Sequence, residues 1–266
     1  AAATVLGAIV GHPERELEVL EAATDEDRKW LGTLLKANFC TVELAEGVDN
    51  LYIEITATTD EHTAVVRIEN AHTNITYVSV DGNVISETIN EIKEAESSTC
   101  PMTFDSIYEF TKAGDISGIL PSIKQQVEYN TAISNEGLSN DYGANIGRLL
   151  LLDDETPSLE TKCKARAAAG SDARMSGCPL PVVICSGSGN QGLTVSMPII
   201  TTAEELGKTD EELYRALVFA NLLTLYVKSG IGKLSAYCGV VSAGIVSVAG
   251  IAFLKGDSKD IIEDTL

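Results

Sequence analysis

The chain has 266 residues, of which 44% are hydrophobic and 22% charged, and its formal net charge is −20. Such a composition describes a folded protein of one large or two intimate domains and excludes a disordered chain. The acidity sets the surface against nucleic-acid phosphates and anionic lipid, so neither is an expected partner.

In chain order, AAATVLGAIVG opens as a small-residue apolar helix without a methionine, and SKDIIEDTL closes as the middle of an amphipathic helix, so both ends look cut. Residues 13–38 read as helices, with Thr24 as N-cap before an acidic first turn and then Trp30, Leu31, Leu34 and Leu35. The period then changes. FCTVELAEG, NLYIEITATTD, HTAVVRIEN and HTNITYVSV alternate apolar with polar residues, and Asp81-Gly82-Asn83 supplies hairpin chemistry before a last short strand. The expectation is an antiparallel sheet of about four or five strands packed on the preceding helices.

From Thr103 onward helix signals dominate. TFDSIYEFTKAG is capped by Thr103 and closes at Gly114; LPSIKQQVEYNTAISNEG carries Pro121 in its first turn and closes at Gly137. TPSLETKCKARAAAG closes at Gly170, and TDEELYRALVFANLLTLYVKSG runs from a Thr209 cap to Gly230. The uncharged stretch Leu234 to Leu254 is long enough to cross a bilayer, but it is rich in Ala, Gly and Ser and lacks an aromatic belt, so it reads as a buried helix. The fold class is α+β: a helix-plus-sheet domain over residues 1–100, then an α-helical domain of catalytic type with glycine-rich loops over residues 101–266. The cysteines at 40, 100, 163, 178, 185 and 238 form no CxxC pair, and no secretory signal opens the chain, which points to a reducing cytoplasm.

Three polar, glycine-bearing segments are predicted between the helices: NEGLSNDYG (135–143), GSDARMSG (170–177) and SGSGNQG (186–192). The last is gripped by apolar runs on both sides, which suits a shaped cradle better than a linker. If packing brings the segments together, backbone N–H groups, Ser186, Ser188, Asn190, Gln191 and the fixed cation of Arg174 can hold a small carboxylate or phosphate. Asp172 beside Arg174 has a plainer reading as a capping carboxylate, and each segment alone could be a helix cap. SGSGNQG lacks the Lys-Ser/Thr of a phosphate loop, the spacing and following helix of a dinucleotide fingerprint, and the G-x-S-x-G of a serine hydrolase. His12 and His62 read as surface residues and His72 as a structural imidazole that opens a strand. Cys238 stands at the start of a small-residue helix, where free N–H groups favour a thiolate; a plain small apolar role is its alternative.

Taken together, EGLSNDYG, GSDARMSG, SGSGNQGL and KLSAYCGVVSAG, with NAHTNI upstream, closely resemble the iron–sulfur L-cysteine desulfidase and L-serine dehydratase alpha-chain family, including its uncharacterised bacterial relatives. The resemblance runs over nearly the whole chain. It implies a lyase that removes sulfide or water from L-cysteine or L-serine, giving an aminoacrylate that hydrolyses to pyruvate and ammonia, without pyridoxal phosphate. It also implies a [4Fe–4S] cluster in the whole protein, with one iron acting as a Lewis acid. Cys238 matches one cluster cysteine. The family's Cys-Thr-Glu-Pro-like and Cys-Asp-Gly-like segments are not in this sequence, so the 266-residue piece is expected to hold no cluster and to be inactive alone. The motif positions make Ser186, Gly187, Ser188, Gly189, Asn190 and Gln191 the carboxylate cradle, with Asp172, Arg174, Glu136 and Ser139 as further substrate-binding residues. His72 is the candidate proton acceptor if the sheet domain folds over the loops. A small amino acid is the expected partner, and a homodimer suits the apolar last helix. The competing readings are an amino-acid-binding or regulatory module without chemistry, and glycine loops that serve only as structural joints.

Overall fold

A computed structural model describes residues 1–49, 51–70, 74–88, 102–153, 155–231 and 238–266, except the side chains of 16–18 and 21. The chain forms two compact units, Ala1–Glu96 and Ser97–Leu266, and the fold is α+β.

In the first unit, helix α1 (Ala2–Val10) ends on Gly11 in the left-handed conformation, a 3₁₀ segment covers Pro13–Ala22, and α2 spans Asp25–Lys36. A capping box starts α2: Thr24 accepts from Asp27 N–H, and the Asp27 carboxylate accepts from Thr24 N–H at 2.8 Å. Strands β1 (Tyr52–Thr58), β2 (Thr63–Glu69), β3 (Ile75–Val80) and β4 (Asn83–Glu87) form one antiparallel sheet in sequence order. Asp81 and Gly82, both at positive φ, make the β3–β4 turn. Two expectations are corrected. FCTVELAEG is not a strand: residues 39–47 form no regular element, and Val42 and Leu44 are exposed, so the alternation there has no apolar surface to register against. The sheet does not use the preceding helices as its principal packing partners either; α1 packs on α2, the strands pack on one another, and Trp30 stays exposed.

The second unit is a helical bundle: α3 (Phe104–Ala113), α4 (Leu120–Ser139), α5 (Ile146–Leu152), α6 (Leu159–Met175), α7 (Gly189–Leu206), α8 (Asp210–Ser229), α9 (Gly239–Lys255) and α10 (Lys259–Asp264). Helix α7 is apolar nearly all round, as a central helix must be, and buries Leu193, Val195, Met197, Ile199 and Ile200 among α4, α6, α8 and α9. Phe219 of α8 stacks on Phe253 of α9 with centroids 4.7 Å apart, and Tyr108 of α3 meets both rings edge-on. Of the stretch Leu234–Leu254, residues 234–237 lie outside the described residues and Gly239 onward forms α9; among the described residues no helix is long and apolar enough to cross a membrane.

Three helix boundaries differ from the sequence expectation, and all bear on function. Helix α4 runs past Gly137 to Ser139, and α6 past Gly170 to Met175. Neither glycine is a stop. A Cβ on Gly137 would overlap the Ala169 carbonyl, and one on Gly170 would press on Leu193, so both mark close helix contact rather than a turn. Helix α7 starts inside SGSGNQG and takes Gly189 to Gln191 as its first turn, whereas the sequence places the whole segment between helices. Gly137→Ala should therefore destabilise the protein by about 2–3 kcal/mol in urea unfolding, because overlap with a backbone atom outweighs the gain of about 1 kcal/mol in helix propensity.

Candidate functional site

Contacts between helix ends place the marked segments at one end of the bundle. Helices α6 and α7 run antiparallel: Lys162 reaches Glu205 at 2.7 Å, Arg166 pairs with Glu204, and Arg174 reaches Asn190. Helices α7 and α9 run parallel, since Gly239 lies against Gln191 and Gly250 against Ile199. The C-terminus of α4 meets that of α6 through Gly137 and Ala169. Two helix N-termini and two helix C-termini thus share one end.

Most residues of SGSGNQG have a local reason. Cys185 and Ser188 exchange backbone hydrogen bonds at 3.1 and 3.2 Å around Ser186 (φ 48°) and Gly187 (φ 83°). This is a primed two-residue turn, in which serine bears a conformation that costs L-residues about 1–2 kcal/mol. Ser188 then caps α7 by accepting from Gln191 N–H. A Cβ on Gly189 would displace the Arg174 side chain that lies over it, and Gly192 has no room for a side chain because the Val183 carbonyl sits there. Asn130 of α4 holds the strand-like approach to the turn: its Oδ1 accepts from Val183 N–H at 2.9 Å, and its Nδ2 donates to the Val183 carbonyl at 3.3 Å and to Ser196 Oγ at 2.9 Å.

Arg174 is the electrostatic centre of this end. Its guanidinium donates to Asn190 Oδ1 at 3.1 Å and touches Met175 sulfur at 3.4 Å, and among the described residues no carboxylate pairs with it. The Gly189 and Asn190 N–H groups also meet no acceptor among the described residues. A full positive charge laid on the positive end of a helix is unfavourable by itself; an anion between them would reverse the sign.

The remaining expected binding residues do other work. Asp172 Oδ2 accepts from Ile146 N–H at 2.9 Å and so caps α5; it is a capping carboxylate, but one inside α6 that serves another helix, and no new helix begins at Asp172. Ser139 Oγ donates to the Asn135 carbonyl at 2.8 Å. Glu136 Oε1 accepts from Asn140 Nδ2 at 2.9 Å and from Tyr142 OH at 3.0 Å, and the Tyr142 phenol, held first by Glu136 and then by Cys178, is pushed up to about 12. Asp172, Glu136 and Ser139 therefore brace the rim. His72 lies outside the described residues, while His12 and His62 are exposed and bonded to Glu14 and Asp81. Cys238 is the exposed N-cap residue of α9, next to the Gly239 that touches Gln191. Among the described residues no group of three or more His, Cys, Asp or Glu side chains comes together, so they do not compose a full cluster ligand set.

Cys185, under the turn, is buried, and burial pushes its thiol up to about 11. The unfolded chain ionises this thiol first, near its ordinary value, so the contribution of the thiol to stability should be level below pH ~9 and fall by about 2–3 kcal/mol as pH rises to ~11. Denaturant titrations across that range should show the fall, and Cys185→Val should flatten it.

The serine dehydratase alpha chain family profile matches residues 14–266. Among curated relatives, a UPF0597 protein of Finegoldia magna is 44% identical over all of this chain and 64% of its own length. UPF0597 proteins of Lachnoclostridium phytofermentans and Desulfitobacterium hafniense are each 41% identical, with 64% and 62% of their lengths covered. The chain spans just under two thirds of the length of these relatives. No solved structure matches it. The helical end that gathers SGSGNQG and Arg174 therefore belongs to a chain that is a member of the serine dehydratase alpha chain family.

Proposed function

We propose that this chain is the amino-acid-binding body of a lyase that eliminates water or sulfide from L-serine or L-cysteine. One observation carries the reading: Arg174, without a carboxylate partner among the described residues, lies on the first turn of α7 beside N–H groups that have no acceptor there. The substrate carboxylate would take that place, hydrogen-bonded to the guanidinium and to Gly189 and Asn190 N–H, with the Asn190 amide fixing the cation. Neutralising the carboxylate makes the α-proton easier to remove, which an elimination needs. Loss of that proton and of the β-substituent leaves aminoacrylate; its imine tautomer adds water and releases ammonia and pyruvate. The sequence of the helical unit contains no histidine, so no imidazole there serves as its base.

A [4Fe–4S] cluster would supply Lewis acidity at the leaving group of the whole protein. By its motif position Cys238 would be one of the cluster's ligands, and among the described residues no group of three or more His, Cys, Asp or Glu side chains completes the set. The test is anaerobic iron–sulfur reconstitution of the whole protein beside Cys238→Ala, with pyruvate measured from L-serine and L-cysteine. Pyruvate from the wild type, lost in the variant, is the expected result. A protein that binds either amino acid and releases no pyruvate is a binding module, and the lyase reading falls.

A further inference from the structure

Gln191, in the first turn of α7, is 1% exposed, and its Nε2 has no hydrogen-bond partner among the described residues. Its carbonyl oxygen lies so close to Gly239 that a Cβ there would collide with it. The side chain thus reaches from the N-terminus of one helix to the first residue of another. Among the described residues the Gly239 and Val240 N–H groups of α9 also lack acceptors, while Val241 N–H donates to the Cys238 carbonyl. A buried, unsatisfied amide costs stability, and its persistence at a junction of two positive helix ends points to an acceptor that the ligand brings.

We propose that Gln191 and the N-terminus of α9 form the second half of the carboxylate site, so that one ligand carboxylate bridges α7 and α9. One oxygen rests on Arg174 and Asn190, and the other accepts from Gln191 Nε2 and the first turn of α9. The proposal rests on the reading of the SGSGNQG turn as a carboxylate site; it gives Gln191, already in that segment, a definite donor role and extends the site to the N-terminus of α9, which the segment does not contain. It assigns Gln191 to the carboxylate and not to the β-substituent, which makes Gln191 indifferent to whether the amino acid carries a hydroxyl.

The test is calorimetric titration of L-alanine and L-serine into the wild-type protein and into Gln191→Leu and Gln191→Met, with the thermal midpoint of each free protein. Loss of a hydrogen bond to a charged group should weaken both ligands by the same factor, about 10-fold or more. Removal of the unsatisfied amide should leave Tm unchanged or raise it by about 2–4 °C. A merely structural Gln191 would give lower Tm with unchanged affinities. Unchanged affinity for both ligands, weakening confined to L-serine, or no binding of either ligand by the wild type overturns the proposal. The lyase reading fails separately: binding that depends on Gln191 with no pyruvate from either substrate leaves the bridge standing, and pyruvate formation with unaltered affinity in the Gln191 variants does the reverse.

Discussion

Asn130→Ala should lower stability by about 3–5 kcal/mol, which in a unit of this size is a fall in Tm of about 8–15 °C. The size follows from what the amide leaves behind. Asn130 is 0% exposed and serves three partners: both polar groups of the Val183 backbone and the hydroxyl of Ser196. Truncation strands all of them, and each buried unsatisfied group costs about 1–3 kcal/mol. A methyl in place of the amide also leaves a cavity between α4 and α7. Thr209→Ala provides the scale: it removes the cap of α8, whose capping box is exposed, and should cost only about 1 kcal/mol. Thermal melts of the two variants, side by side, check the ratio. Asn130→Ala should also loosen the turn that follows Val183, so ligand affinity should fall with stability.

Arg174→Ala should do the opposite. The side chain is exposed, packs over Gly189 and bonds to one amide, so its loss should change stability by less than about 0.5 kcal/mol. Ligand binding should weaken about 10- to 100-fold, the value of a charge-assisted hydrogen bond of about 1.5–3 kcal/mol. Arg174→Lys should recover only part of it, because an ammonium keeps the charge without the planar fork that can grip Asn190 and a carboxylate together. Titration of L-serine into the three proteins, with urea unfolding of each, separates the readings. A site that binds through Arg174 loses affinity at constant stability; a structural joint loses stability first.

Much of this was legible in the residues. Thr24, Thr103 and Thr209 cap helices as their sequences require, and the hairpin at Asp81-Gly82 stands where its turn chemistry put it. The helical breaks were misjudged for one physical reason. Gly137 and Gly170 look like stops because glycine commonly ends helices, yet each is small so that a neighbouring helix or side chain can approach; only the partner, far away in sequence, reveals that. The site divides in the same way. Ser186 to Gln191 and Arg174 were visible as a polar, glycine-rich run and a nearby cation. Asp172 was legible as a capping carboxylate but not as the cap of α5, since that use depends on a contact 26 residues away. Asn130 carries one sequence signal: it is a polar residue on the buried face of α4, which includes Ile123, Gln126 and Ile133. Nothing local marked Gln191 as unpartnered, because the missing bond is a property of the assembled helix ends.

Calorimetric titration with L-serine and with L-serinamide, which carries a neutral amide in place of the carboxylate, tests the site most directly. Binding of L-serine with at least about 10-fold weaker binding of the amide is the expected result, since the anion is what Arg174 and the two helix N-termini await. Equal affinity for the two compounds, or binding of neither, would contradict a carboxylate site at the SGSGNQG turn.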